Sequence, residues 1–218
     1  MKKSVIPIKE ICIIVLYFIF PMIIGTLLPG MGNSTNTQII IRLFLELLLS
    51  LLFIFFYFDV FKKDLSKIRK DKIVSKSAWY TVLSIAAVAI INATIFVIMG
   101  DTVNPANSSI IEEYLKTNTI YAMLTVLLIS PIKEEIVFRK ALKDTLPNKI
   151  IFIIFSSIVY TVISVGYNFT LSIELLATIP VLAVSIIRAY SIVKTENIYT
   201  PIFVSVMYSL FVLATRLL

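Results

Sequence analysis

The sequence predicts an all-α bundle of about seven membrane-spanning helices, within a range of roughly six to eight. Three observations carry this. The chain is 218 residues long, 59% hydrophobic and 15% charged, whereas soluble domains average about 45–50% apolar and about 25% charged. The apolar stretches recur to the C-terminus, so one targeting segment does not explain them. Runs such as 47–58 show no apolar–polar alternation, which argues against a membrane β-barrel. The polar stretches between segments are short, and the whole chain, 1–218, reads as a single membrane domain.

Segment one covers 11–28, interrupted by Pro21 and ended by Pro29-Gly30. Segment two covers 39–58, and within it Arg42 and Glu46 are spaced to pair. A basic stretch follows, with Lys62, Lys63, Lys67, Arg69, Lys70, Lys72 and Lys76. Segment three, 78–99, opens on Trp79 and Tyr80, rings that suit a membrane interface. The polar stretch 100–119 carries Asp101, Glu112 and Glu113. Segment four covers 120–139, a re-entrant or bent course being left open for it and for segment one, and Lys140, Lys143 and Lys149 flank the turn after it. Segment five covers 150–167. Segment six covers 171–187, interrupted by Pro180 and followed by Arg188 and Lys194. Segment seven covers 199–213.

The net charge is +7. Its basic residues sit in short clusters between apolar segments, which fits membrane orientation better than nucleic acid. With Lys2, Lys3 and Lys9 in the cytoplasm, alternation puts all four basic clusters on that side. The expected location is the cell membrane, multi-pass, with a cytoplasmic N-terminus.

The chain has no histidine and one cysteine, Cys12. It therefore lacks the commonest general base and metal ligand, and no disulfide can form within it. No cofactor and no metal are expected. Heavy Ile and Lys usage suggests a bacterial chain. Asn-x-Ser/Thr triplets at Asn33, Asn92, Asn107 and Asn168 are given no role. Two readings stand for Glu174, in segment six: it meets a polar partner such as Asn92, or it reaches the membrane interface.

The chemistry concentrates at Pro131-Ile-Lys133-Glu134-Glu135-Ile-Val-Phe138-Arg139. Charges in an apolar segment need a partner or a function. Pro131 weakens the helical ladder just before them. Glu135 and Arg139, four apart, share a face and can pair, while Glu134 points about 100° away. Two carboxylates in a poorly hydrated place do not both ionise comfortably, which makes one a candidate proton acceptor. Spacing alone leaves two readings open: an activated-water hydrolase, or a structural ion pair at a helix end with Arg139 nearest the boundary.

The same run resembles the CAAX-type intramembrane proteases and bacteriocin-processing enzymes (the CPBP or Abi family), whose first motif is Glu-Glu-x-x-x-Arg. Glu134, Glu135, Phe138 and Arg139 match it, and Lys140 stands where the family usually has Gly. The resemblance extends over 120–215, the CAAX-protease-like core. Tyr160 takes the aromatic position of the family's Phe-x-x-x-His helix, and Ser164 its histidine position. Ser205 and Ser209 take the histidine and Asn/Asp positions of the last motif. In the family, the first glutamate and the second-motif histidine activate water. Glu134, Glu135 and Arg139 would thus be catalytic-motif residues retained in a degenerate member. The resemblance implies a membrane adaptor or regulator acting on a membrane or cell-envelope protein partner. The alternatives are an active glutamate-dependent endopeptidase with a peptide substrate, or a bacteriocin self-immunity protein. A transporter is disfavoured, since no inverted repeat is evident.

Overall fold

The computed structural model describes residues 8–30, 35–99, 119–165, 176 and 178–217. These residues are helical almost throughout. The polar stretch 100–118, Asn33, Asn168 and Glu174 lie outside the described residues.

Helix α1 (Ile8–Gly30) runs through Pro21 without ending there. A proline is tolerated in a membrane helix where neighbours re-satisfy the freed carbonyl. Helix α2 (Thr35–Phe56) is followed by a short α3 (Phe58–Leu65), whose last turn enters the basic stretch at Lys62 and Lys63. Helix α4 (Ile73–Met99) starts before Trp79, so that ring lies in its second turn rather than at its start.

Residues 119–145, α5, form one continuous but unevenly wound helix. It is α-helical at Thr119–Leu124, π-helical at Thr125–Ile129, α-helical at Ser130–Glu134, π-helical at Glu135–Ala141 and α-helical at Leu142–Thr145. Pro131 accounts for the first wide turn. Its ring would clash with the carbonyl four residues back, at Leu127. Widening relieves this, and the Ser130 N–H bonds the Thr125 carbonyl five residues back.

Asn148 caps α6 (Lys149–Val165), its Oδ1 accepting from the Ile150 and Ile151 N–H groups at 2.9 and 3.2 Å. Helix α7 spans Ile179–Thr195. Pro180 lies in its first turn, where a missing N–H is harmless, so Pro180 starts the helix instead of interrupting it. Arg188 consequently lies inside α7 and not in a flanking loop. Helix α8 covers Tyr199–Leu217.

Among the described residues, four helices are long and apolar enough to cross a membrane: Ile8–Leu27, Thr37–Phe56, Ile73–Ile98 and Thr178–Thr195. Lys149–Val165 and Tyr199–Thr215 are shorter apolar helices. The fold is an all-α, polytopic membrane bundle. Large apolar side chains point outward, with Val97 83% and Phe55 74% exposed, as a lipid-facing surface requires.

Inside, α4 lays Ser77, Thr81 and Ser84 along one buried face against α7 and α8. Small residues let membrane helices approach closely. The Ser77 hydroxyl donates to the Thr200 carbonyl at 3.3 Å. The main core joins Ile13, Phe53, Phe138, Phe152, Ala189 and Ile202.

Many basic residues gather at one end of the bundle. Lys9 and Lys140 lie 4.0 and 5.8 Å from the Tyr57 ring centroid, and Lys143 donates to the Ile192 carbonyl near the end of α7 at 3.1 Å. At the same end Asp64, buried in the last turn of α3, ties down the α7–α8 turn. Its carboxylate accepts from the Ile198 N–H, and its carbonyl from the Asn197 amide, both at 2.9 Å. Asp64→Ala leaves the Ile198 N–H buried without that acceptor. The expected loss is about 1–3 kcal/mol, read as a lower unfolding midpoint in mild detergent, with Asp64→Asn less affected.

Candidate functional site

The wide second turn of α5 places Glu135, Ile136, Val137, Phe138 and Arg139 all in the protein interior. Glu135 is 1% and Arg139 0% exposed, so both charges need partners within the protein.

Glu135 lies between two guanidinium groups. The Arg188 Nη1 donates to its Oε1 at 2.8 Å. The Arg139 Nε faces its Oε2 at 3.4 Å, an ion pair without hydrogen-bond alignment. The expected spacing of Glu135 and Arg139 is therefore met, yet the shorter contact comes from Arg188, 53 residues later.

Serines take further guanidinium donors, while the Arg188 Nε is buried without a hydrogen-bond partner. The Arg139 Nη1 donates to the Ser156 hydroxyl at 3.1 Å and carbonyl at 3.3 Å, and Nη2 to the Ser185 hydroxyl at 2.7 Å. The Arg188 Nη1 also donates to the Ser205 hydroxyl at 3.0 Å. Arg139, expected nearest the membrane boundary, is instead wholly enclosed between α6 and α7.

Glu134 turns away, as its position one residue from Glu135 predicts. The Tyr160 hydroxyl donates to its Oε2 at 2.9 Å. The Tyr160 ring centroid lies 4.5 Å from the Arg188 guanidinium carbon and 5.3 Å from that of Arg139. Phe138 meets the same ring edge-on at 5.4 Å, and Tyr17 meets Phe138 likewise at 5.2 Å. Tyr160 thus joins both acids' surroundings. The site balances two acids, Glu134 and Glu135, against two guanidiniums, while Lys133 is drawn off to Glu46 at 3.3 Å, where Arg42 also pairs at 3.2 Å.

The structure therefore brings Glu134, Glu135, Arg139, Tyr160 and Ser205 into one network. Ser164 lies beside the Tyr160 hydroxyl, and Ser209 is half-buried one turn beyond Ser205. Sequence reasoning missed Arg188, Ser156 and Ser185. A usable signal existed for Arg188: starting a helix at Pro180 carries it through to Thr195 and puts Arg188 in its interior. Among the described residues, no three Asp, Glu or Cys side chains come together as a metal-binding group.

Residues 116–211 match the family model described as Type II CAAX prenyl endopeptidase Rce1-like. No curated protein and no solved structure matches the chain. The matched region contains the whole ionic network apart from the Arg42–Glu46–Lys133 link to α2. Residues 116–211 are thus a CAAX-protease-like domain, set in a multi-pass membrane protein.

Proposed function

We propose that this protein is a catalytically silent CAAX-protease-like membrane protein that acts as an adaptor or regulator of a membrane or cell-envelope protein partner. The observation that carries this reading is the way the acids are held. Glu135 is clamped between Arg139 and Arg188, and Ser205 serves as an acceptor for Arg188. A serine at that position supplies no base near neutral pH, and neither does Ser164, which lies beside the Tyr160 hydroxyl. What is left is a network of fixed charges that orders four helices. The N-terminus and the basic end of the bundle face the cytoplasm in this reading, as the distribution of lysines favours.

The competing reading is a glutamate-dependent endopeptidase. It rests on Glu134, which among the described residues forms no ion pair with an arginine or lysine and is held by the Tyr160 hydroxyl. The two readings separate in a peptidase assay of the purified protein in lipid nanodiscs, on a panel of prenylated and transmembrane peptides. Wild type and Glu134→Gln are expected to give the same background. Turnover by wild type that disappears in Glu134→Gln overturns the silent reading.

A further inference from the structure

We propose that the cavity between the start of α4 and the end of α7 holds the phosphate headgroup of an anionic glycerophospholipid. The cavity measures about 300 Å³ and is lined by Ser75, Lys76, Trp79, Tyr80, Lys194 and Thr195. It lies apart from the Glu134–Glu135 network and is independent of the catalytic question.

The lining suits a phosphate. Two lysines from different helices line it together with Ser75, and none of the six residues is acidic; the Thr195 hydroxyl is already engaged, donating to the Ser191 carbonyl at 2.8 Å. Lys194 is positioned by aromatic rings: its Nζ lies 5.6 Å from the Tyr190 ring centroid, and Tyr190 meets Tyr80 edge-on at 6.3 Å.

The surroundings select a lipid over a soluble phosphate. Trp79 is 66% exposed at the rim, and an outward-facing tryptophan one turn inside a membrane helix belongs at the headgroup–acyl boundary. One and three turns further on, Leu83 and Ile90 continue the same exposed face of α4, so an acyl chain leaving the cavity meets an apolar track. The opposite face of α4, with Ser77, Thr81 and Ser84, is committed to packing. The cavity also sits at the lysine-rich end of the bundle, where an anionic leaflet is attracted.

The chain's single tryptophan is Trp79, which makes occupancy directly readable. The full chain in nanodiscs is compared with phosphatidylglycerol or phosphatidylcholine brominated near the headgroup end of the acyl chains, at equal mole fraction. Brominated phosphatidylglycerol is expected to quench Trp79 more strongly. Lys76→Gln and Lys194→Gln are each expected to weaken that preference about fivefold, and the pair to abolish it. Lys62→Gln/Lys63→Gln, an equal charge change on exposed residues of α3, is expected to leave it intact. Equal quenching by the two lipids overturns the proposal. So does equal loss in both double variants, which marks general attraction of a basic surface. Reversal of the quenching by soluble glycerol phosphate overturns the lipid assignment in favour of a free phosphate.

Discussion

Arg188→Met is expected to lose about 3–5 kcal/mol of stability, the usual cost of removing one partner from a buried ion pair. Glu135 would keep only Arg139, whose Nε faces it at 3.4 Å without hydrogen-bond alignment. Ser205 would lose its guanidinium donor as well. The measurement is unfolding in mild detergent, followed by circular dichroism. The informative companion is Glu135→Leu/Arg188→Met, which removes one charge of each sign and leaves Glu134 and Arg139. Replacing a buried pair by apolar residues is often neutral or stabilising, so the double variant is expected to recover at least about half of the loss. A double variant no more stable than Arg188→Met would show that the contact does not hold the bundle through its charges.

Arg139 gives the second large effect, because its fork bonds two other helices. Its Nη1 reaches Ser156 on α6, and its Nη2 reaches Ser185 on α7. Arg139→Met is expected to lose about 3–5 kcal/mol. Arg139→Lys keeps the charge but offers one ammonium in place of a planar fork, and cannot reach both serines while facing Glu135. It is expected to lose about 1.5–3 kcal/mol, the range for hydrogen bonds to a charged group. Survival of monodisperse protein after a heating series ranks wild type above the lysine variant, and the lysine variant above methionine. Equal behaviour of lysine and arginine would reduce the role of Arg139 to its charge alone.

The membrane class was legible because hydrocarbon imposes a composition that no soluble core needs. The charged motif was legible for the complementary reason: Glu134, Glu135 and Arg139 stand out against an apolar background. Their relative directions were only half legible. Spacing rules assume an evenly wound α-helix, in which residues four apart stack. Here Glu135 and Arg139 lie in a π-helical stretch, whose wider turn displaces them from that alignment. Arg139 accordingly reaches toward two serines, and Arg188 makes the closer contact with Glu135. Winding of this kind follows from packing around Pro131 as much as from local preference. Arg188 itself was hidden by a boundary. Read as a flanking cation after a segment ended at 187, it looked like an orientation signal. With Pro180 as the first turn of α7, the same residue becomes an interior charge.

The 53 residues between Glu135 and Arg188 also bear on how the protein is made. A ribosome adds about 5–20 residues per second. The carboxylate is therefore synthesised on the order of seconds before the guanidinium that will shelter it. During that interval α5 carries an acid into the translocon with no completed refuge. Until α7 emerges, Glu135 has only Arg139 of its own helix to face, so the ionic network closes only once the seventh helix has been made.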